Sequence, residues 1–175
     1  MERRWFFRAA SAAGLLLWST AALAQMDTAW VRRYNGPGNS NDDALALRVD
    51  AVGNVYVTGY SFGGSTGYDY ATLKYGPTGN LVWTRRYNGL GNGYDWANAL
   101  DIDTAGNVCV TGFSDGGSSG WDYATLKYDP NGTLLWERRY DGPGDSTDVA
   151  AALRVDESGN VYVTGKTWDD TANCD

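Results

Sequence analysis

The string GNVYVTG at residues 53–59 returns as GNVCVTG at 106–112 and again as GNVYVTG at 159–165, a constant step of 53 residues. A chain that repeats itself at such a spacing is made of small units that cannot bury their apolar faces alone and must stack on one another. Each unit carries four short segments. The first reads ALALRV at 44–49, ANALDI at 97–102 and AAALRV at 150–155, with aliphatic residues at 47 and 49 flanking a charged one, the two-residue period of a strand. The second, Val55, Tyr56, Val57 and Thr58 with its copies, is β-branched and aromatic, which suits a pleated sheet. The third, YATLKY at 70–75, recurs letter for letter at 123–128; the fourth, LVWTRRY at 81–87, has copies around Trp30 and Trp136. No 3.6-residue stripe runs through residues 25–175, so that part is expected to be all β.

The connectors alternate in length. Segments one and two are joined by Asp50-Ala51-Val52-Gly53 and its copies, and segments three and four by Gly76-Pro77-Thr78-Gly79 or Asp129-Pro130-Asn131-Gly132, all tight-turn sequences. Segments two and three are separated by roughly eight Gly- and Ser-rich residues, and segment four reaches the next unit through loops such as NGPGNSND at 35–42. An antiparallel meander then carries its tight turns on one face and its long loops on the other. Four such strands per unit, with small Ala44 and Ala46 in the first and Trp83 in the last, describe a propeller blade whose first strand lies nearest the axis.

GNVYVTG, DYATLKY, the Gly-x-x-x-Trp-x-Arg-Arg-Tyr stretch and Asp-x-Ala-x-Ala-Leu together resemble the bacterial β-propeller repeats known as SBBP, or seven-bladed propeller, repeats, over nearly all of residues 26–175. The resemblance implies an exported or surface-displayed propeller. The turn GNLVW at 79–83 is also similar to quinoprotein propeller repeats, which are shorter. The fold expected is an incomplete ring of about three blades. Its parts are an outer strand and linker at 25–41, blades at 42–94 and 95–147, and an incomplete blade at 148–175. Closed propellers need four to eight blades. The short count predicts either that the sequence is part of a longer product or that chains associate to share a ring.

Residues 1–24 carry Arg3, Arg4 and Arg8, an apolar stretch through Leu15, Leu16, Leu17 and Trp18, and Ala22-Leu23-Ala24, the pattern of a cleavable export signal. Ser11, Gly14, Ser19 and Thr20 dilute it too far for a membrane span. The same arginines resemble a twin-arginine signal and fit an ordinary basic leader equally. The protein is therefore expected to be secreted, periplasmic or on the cell surface, with no membrane span after cleavage. Removing three arginines and Glu2 takes the formal charge from −7 to −9, which argues against a nucleic-acid partner. Cys109 and Cys174 replace aromatic residues at unrelated repeat positions, so no disulfide is expected between them.

The chain has no histidine. That removes imidazole bases, Ser-His and Cys-His nucleophile pairs and the common zinc sites. GYSFG at 59–63 and GFSDG at 112–116 match the nucleophile-elbow pattern GxSxG, but these serines leave a strand for a loop and lack a base. No catalytic residue is assigned and no cofactor is expected, calcium excepted. Oxygen side chains recur between paired glycines as Asn35, Asn39 and Asp42; Asn88, Asn92 and Asp95; and Asp141, Asp145 and Asp148. They are candidate calcium ligands, or residues bonding their own loop. Asp101 and Asp103 form a weaker pair that the other units lack. Tyr68, Trp121, Tyr94 and Trp96 are the candidate ligand-binding aromatics, with Tyr60 and Phe113 beside them, for a carbohydrate or protein partner. Arg85 and Arg86 with their copies are expected to guard an exposed outer edge. The function that fits is a structural or interaction module at the envelope or outside the cell. The alternative is a hydrolase or lyase working through Asp42, Asp95 and Asp148.

Overall fold

The computed structural model describes residues 7–10, for their backbone, and 28–168. The expected export signal lies outside the described residues except for Phe7–Ala10, and so does Cys174. The described chain is all β apart from one short 3-10 turn, Gly117–Ser119. Strand β1 (Phe7–Ala10) pairs antiparallel with β2 (Thr28–Arg32). A four-stranded meander follows: β3 (Asp42–Val49), β4 (Val55–Phe62), β5 (Tyr68–Tyr75) and β6 (Leu81–Tyr87). A second meander repeats it: β7 (Asp95–Ile102), β8 (Val108–Asp115), β9 (Trp121–Tyr128) and β10 (Leu134–Tyr140). The hairpin of β11 (Val149–Val155) and β12 (Val161–Lys166) begins a third. These antiparallel sheets are propeller blades, and they do not close into a ring. Among the described residues no helix is long and apolar enough to cross a membrane.

The tight turns form as their sequences dictate. Gly53 N–H bonds the Asp50 carbonyl at 3.0 Å with φ at +87°, and Asp50 N–H bonds the Asn54 carbonyl at 3.0 Å. This is a three-residue hairpin loop whose last position needs the left-handed conformation that glycine adopts freely. Asp50 Oδ1 also accepts the N–H groups of Val52 and Asn54. The glycine ending each VTG motif answers a different need. Inner strands β3, β7 and β11 each bulge by one residue, and a Cβ on Gly59 or Gly112 would meet a backbone carbonyl of that strand at 1.9 or 1.8 Å.

Blade stacking shows in the exposure of equivalent residues. Leu47, Leu100 and Leu153 occupy one repeat position, yet their exposures are 51%, 1% and 1%. Leu100 and Leu153 have a blade before them. On the opposite face Tyr56, Cys109 and Tyr162 are 1%, 0% and 59% exposed, and here only Tyr162 lacks a following blade among the described residues. Strand β7 lies against β3, β4 and β5, and β11 against β7, β8 and β9. Each blade thus lays its inner strand across the preceding sheet. Burying one such leucine contributes about 1.5–3 kcal/mol.

Directional bonds fix how blades meet. Trp30 Nε1 donates to the Pro77 carbonyl at 3.0 Å and Arg32 Nε to Gly79 at 2.6 Å; 53 residues later, Trp83 Nε1 donates to Pro130 at 3.1 Å and Arg85 Nε to Gly132 at 2.5 Å. Outer strands β2 and β6 therefore each clamp the proline turn of the following blade. At the inner strands, Asp101 accepts from Arg48 Nε at 3.3 Å and from Val155 N–H at 3.0 Å, tying β3, β7 and β11 together. Asp103 is bound instead to Lys127 Nζ at 2.9 Å.

The structure differs from the sequence reading at the ends of strands. Strands β4 and β5 run on to Phe62 and back to Tyr68, leaving a five-residue connection where about eight were expected, because Phe62 and Tyr68 pair across the ladder with rings 5.3 Å apart. The expectation of an exposed arginine edge is also corrected. Arg85 is spent on the next blade's turn, and Arg86 points back into its own sheet.

Trp83→Ala should destabilise the protein by about 3–5 kcal/mol in urea unfolding, whereas Trp136→Ala, whose position has no proline turn to clamp among the described residues, should cost about 1 kcal/mol. Burial works to raise the Asp103 carboxyl, but hydrogen bonds from Lys127 and Asn107 outweigh it and hold the group below its ordinary 3.8. Its stabilisation is therefore present above that value and lost as pH falls through the folded one. Asp103→Asn should be about 2 kcal/mol less stable than the parent near neutral pH, and the difference should close on acidification.

Candidate functional site

The long-loop face is built where β4 and β8 end and where β5, β7 and β9 begin. Tyr68 makes an isolated parallel bridge with Tyr94, and Trp121 makes one with Thr147, so each inter-blade loop pairs with the preceding blade before entering the next. Tyr60 and Phe113 occupy one repeat position, two residues before the ends of β4 and β8, and Trp96 is cross-strand partner to Phe113.

These positions bring the candidate aromatics into one run of rings. Tyr94 stacks on Tyr68 at 5.6 Å and 27°, Tyr68 meets Tyr60 edge-on at 5.3 Å, and Tyr60 stacks on Trp96 at 4.4 Å and 16°. Trp96 then lies 5.3 Å from Phe113, which stacks on Trp121 at 4.8 Å and 29°. All four of the sequence-predicted ligand residues belong to this ladder. Its middle is packed, with Phe113 7% exposed, while its ends are open, Tyr94 at 49% and Trp121 at 37%. Trp96 Nε1 is buried and has no partner among the described residues. The face thus offers two exposed rings.

The candidate calcium residues divide into two roles. Asp42, Asp95 and Asp148 are 0–1% exposed, and the Oδ2 of each accepts the N–H of a loop glycine, Gly36 at 3.0 Å, Gly89 at 2.8 Å and Gly142 at 2.6 Å. Asn35 donates to Asn39 at 2.8 Å and Asn88 to Asn92 at 2.6 Å, folding each loop on itself with Asn39, Asn92 and Asp145 at φ of 48°, 53° and 46°. Burial, the largest influence, raises the Asp95 carboxyl despite its bonds to Ser114, Gly89 and Asp115, and the nearby Asp69 charge adds to the rise. Sealed beneath their loops, these three aspartates hold backbone.

A polar cluster that sequence reasoning missed lies under each loop. Arg86 Nη1 donates to Ser61 Oγ at 2.6 Å, and its Nη2 to the Ser61 carbonyl at 2.8 Å and to Asp69 Oδ2 at 2.7 Å. Arg139 repeats these bonds with Ser114 at 2.8 and 3.0 Å and Asp122 at 2.8 Å. The GxSxG serines are thus fully buried acceptors of arginine. The cluster also reaches between blades, since Arg139 Nη1 donates to Tyr87 OH at 2.9 Å and Tyr87 to Glu137 at 2.6 Å. The signal available was co-recurrence: Asp, Ser, Asp and Arg return together at 42, 61, 69 and 86 and at 95, 114, 122 and 139. Arg86→Ala would strand the buried Asp69 charge and should cost about 3–5 kcal/mol in urea unfolding, more than Arg85→Ala, which loses carbonyl bonds worth about 1–2 kcal/mol.

A family model described as SBBP, beta-propeller repeat, matches residues 138–170, the segment running from the end of β10 through the inter-blade loop to β12. No curated protein matches the chain.

Proposed function

We propose that the protein, whose residues 138–170 match the SBBP beta-propeller repeat, is a structural or interaction module that works outside the cytoplasm by binding neutral carbohydrate on its long-loop face. The observation behind this reading is the continuous ring ladder with its two ends, Tyr94 and Trp121, exposed. Aromatic faces suit the C–H faces of sugar rings, and a concave or stepped aromatic surface with few polar groups is the ordinary character of such sites. A formal charge of −7 disfavours polyanions and so points to uncharged polymers. The arginine-led, apolar leader at 1–24 supports export. No histidine base exists, and the buried aspartates are closed to substrate, which favours binding over hydrolysis.

On an array of neutral glycans the 175-residue chain should bind a defined subset. Trp121→Ala and Tyr94→Ala should each weaken that binding about tenfold or more, the loss of one stacked ring, with the unfolding midpoint little changed. Absence of any neutral-glycan binding, or binding indifferent to both substitutions, would overturn the proposal.

A further inference from the structure

Beyond the rings, the long-loop face gathers oxygen atoms at the junction between the second blade and the β11–β12 sheet. Asp122 at the start of β9, Asp141 in the loop after β10, and Asp148 immediately before β11 each present a carboxylate oxygen, all within 4.8 Å of one another. Asp122 and Asp148 are buried, at 3% and 0% exposure, and Asp141 is open to solvent. Hydrogen bonds account for part of this negative charge. Asp122 Oδ2 accepts from Ser119 Oγ at 3.0 Å and from Arg139 Nη2 at 2.8 Å. Asp148 Oδ2 accepts from Gly142 N–H, and its Oδ1 takes the Thr167 hydroxyl. Asp122 Oδ1, in contrast, is buried with no partner among the described residues. An ionised oxygen left so carries a heavy desolvation penalty, and this one belongs to a carboxylate beside two like charges.

The preceding junction repeats the arrangement with one change. Asp69, Asn88 and Asp95 stand 53 residues before Asp122, Asp141 and Asp148, and there Asp69 Oδ1 and Asn88 Oδ1 are both buried and unpartnered. Two aspartates and Arg86 leave that junction at −1; three aspartates and Arg139 leave the later one at −2. We infer that Asp122, Asp141 and Asp148 bind a calcium-class divalent cation between the blades. The donors are hard oxygens with no imidazole or thiolate, the ligand type of calcium and magnesium. Oxygens on one calcium ion lie no farther apart than twice the bond length, about 4.6–5.2 Å, and these three carboxylate oxygens, all within 4.8 Å of one another, are close enough to share one. Three protein carboxylates, with water completing the sphere, place affinity on the order of 10⁻⁴–10⁻³ M, the range of extracellular modules. The site replaces Asp145 of the sequence-based set with Asp122 from the neighbouring strand.

Calorimetric titration of the 175-residue chain with calcium should show one site per chain. Asp141→Asn, an exposed change, should weaken it about tenfold or more while leaving the unfolding midpoint in EDTA unaltered. Asn88→Asp should create a second site and raise the stoichiometry to two. No calcium uptake up to about 10 mM, above the weakest such class, would overturn the inference. So would uptake unchanged by Asp141→Asn, or an Asn88→Asp chain that still binds one ion or none.

Discussion

Burial of one blade's face by the next is the interaction on which the remaining features rest. A four-stranded meander of seven- and eight-residue strands has two faces and too little material to cover either. Leu47 and Leu100 have equivalent neighbours in their own sheets, and one is half exposed while the other is sealed, because among the described residues only the second has a full blade in front of it. The polar devices act on top of that contact. The tryptophan and arginine of each outer strand grip the next blade's proline turn, Asp101 ties three inner strands, and the Arg-Tyr-Glu chain joins outer strands. None drives stacking by itself. Together they set the angle and spacing at which apolar faces meet, since each bond closes only when the following turn is in register.

The same stacking creates the surface that carries function. Inter-blade loops cross from one sheet to the next, so residues from two or three strands meet on the long-loop side. Six rings contributed by β4, β5, β7, β8 and β9 and one loop become a ladder only because blade two sits against blade one. The carboxylates of Asp122, Asp141 and Asp148 likewise come from the second blade and from both ends of the loop leading to the next sheet. A single unit would own neither feature.

Much of this was legible beforehand for definite physical reasons. The 53-residue step, two-residue alternation, β-branched second strand and Asp-x-x-Gly and Pro-x-Gly turns each encode local backbone geometry, and the blades, their order and their two unlike faces follow from them. Tyr68, Tyr94, Trp96 and Trp121 could be singled out because they are aromatics flanking the long loops. The arginines could not be read the same way. Arg85 and Arg86 are adjacent on one strand, so the pleat sends them to opposite sides, one outward to the next blade's carbonyls and one inward to a buried aspartate. Nothing in the pair of letters tells an edge guard from a core ion pair.

The amino-acid order alone determined the architecture, because repeat length, strand periodicity and turn chemistry are local properties that each segment imposes on its own backbone. It also determined the exclusions, through the missing histidine and the acidic balance. Only the tertiary structure decided which oxygen atoms are satisfied and which are left bare, and which rings touch. Those facts depend on distances between residues far apart in the chain, set by how one twisted sheet settles on another.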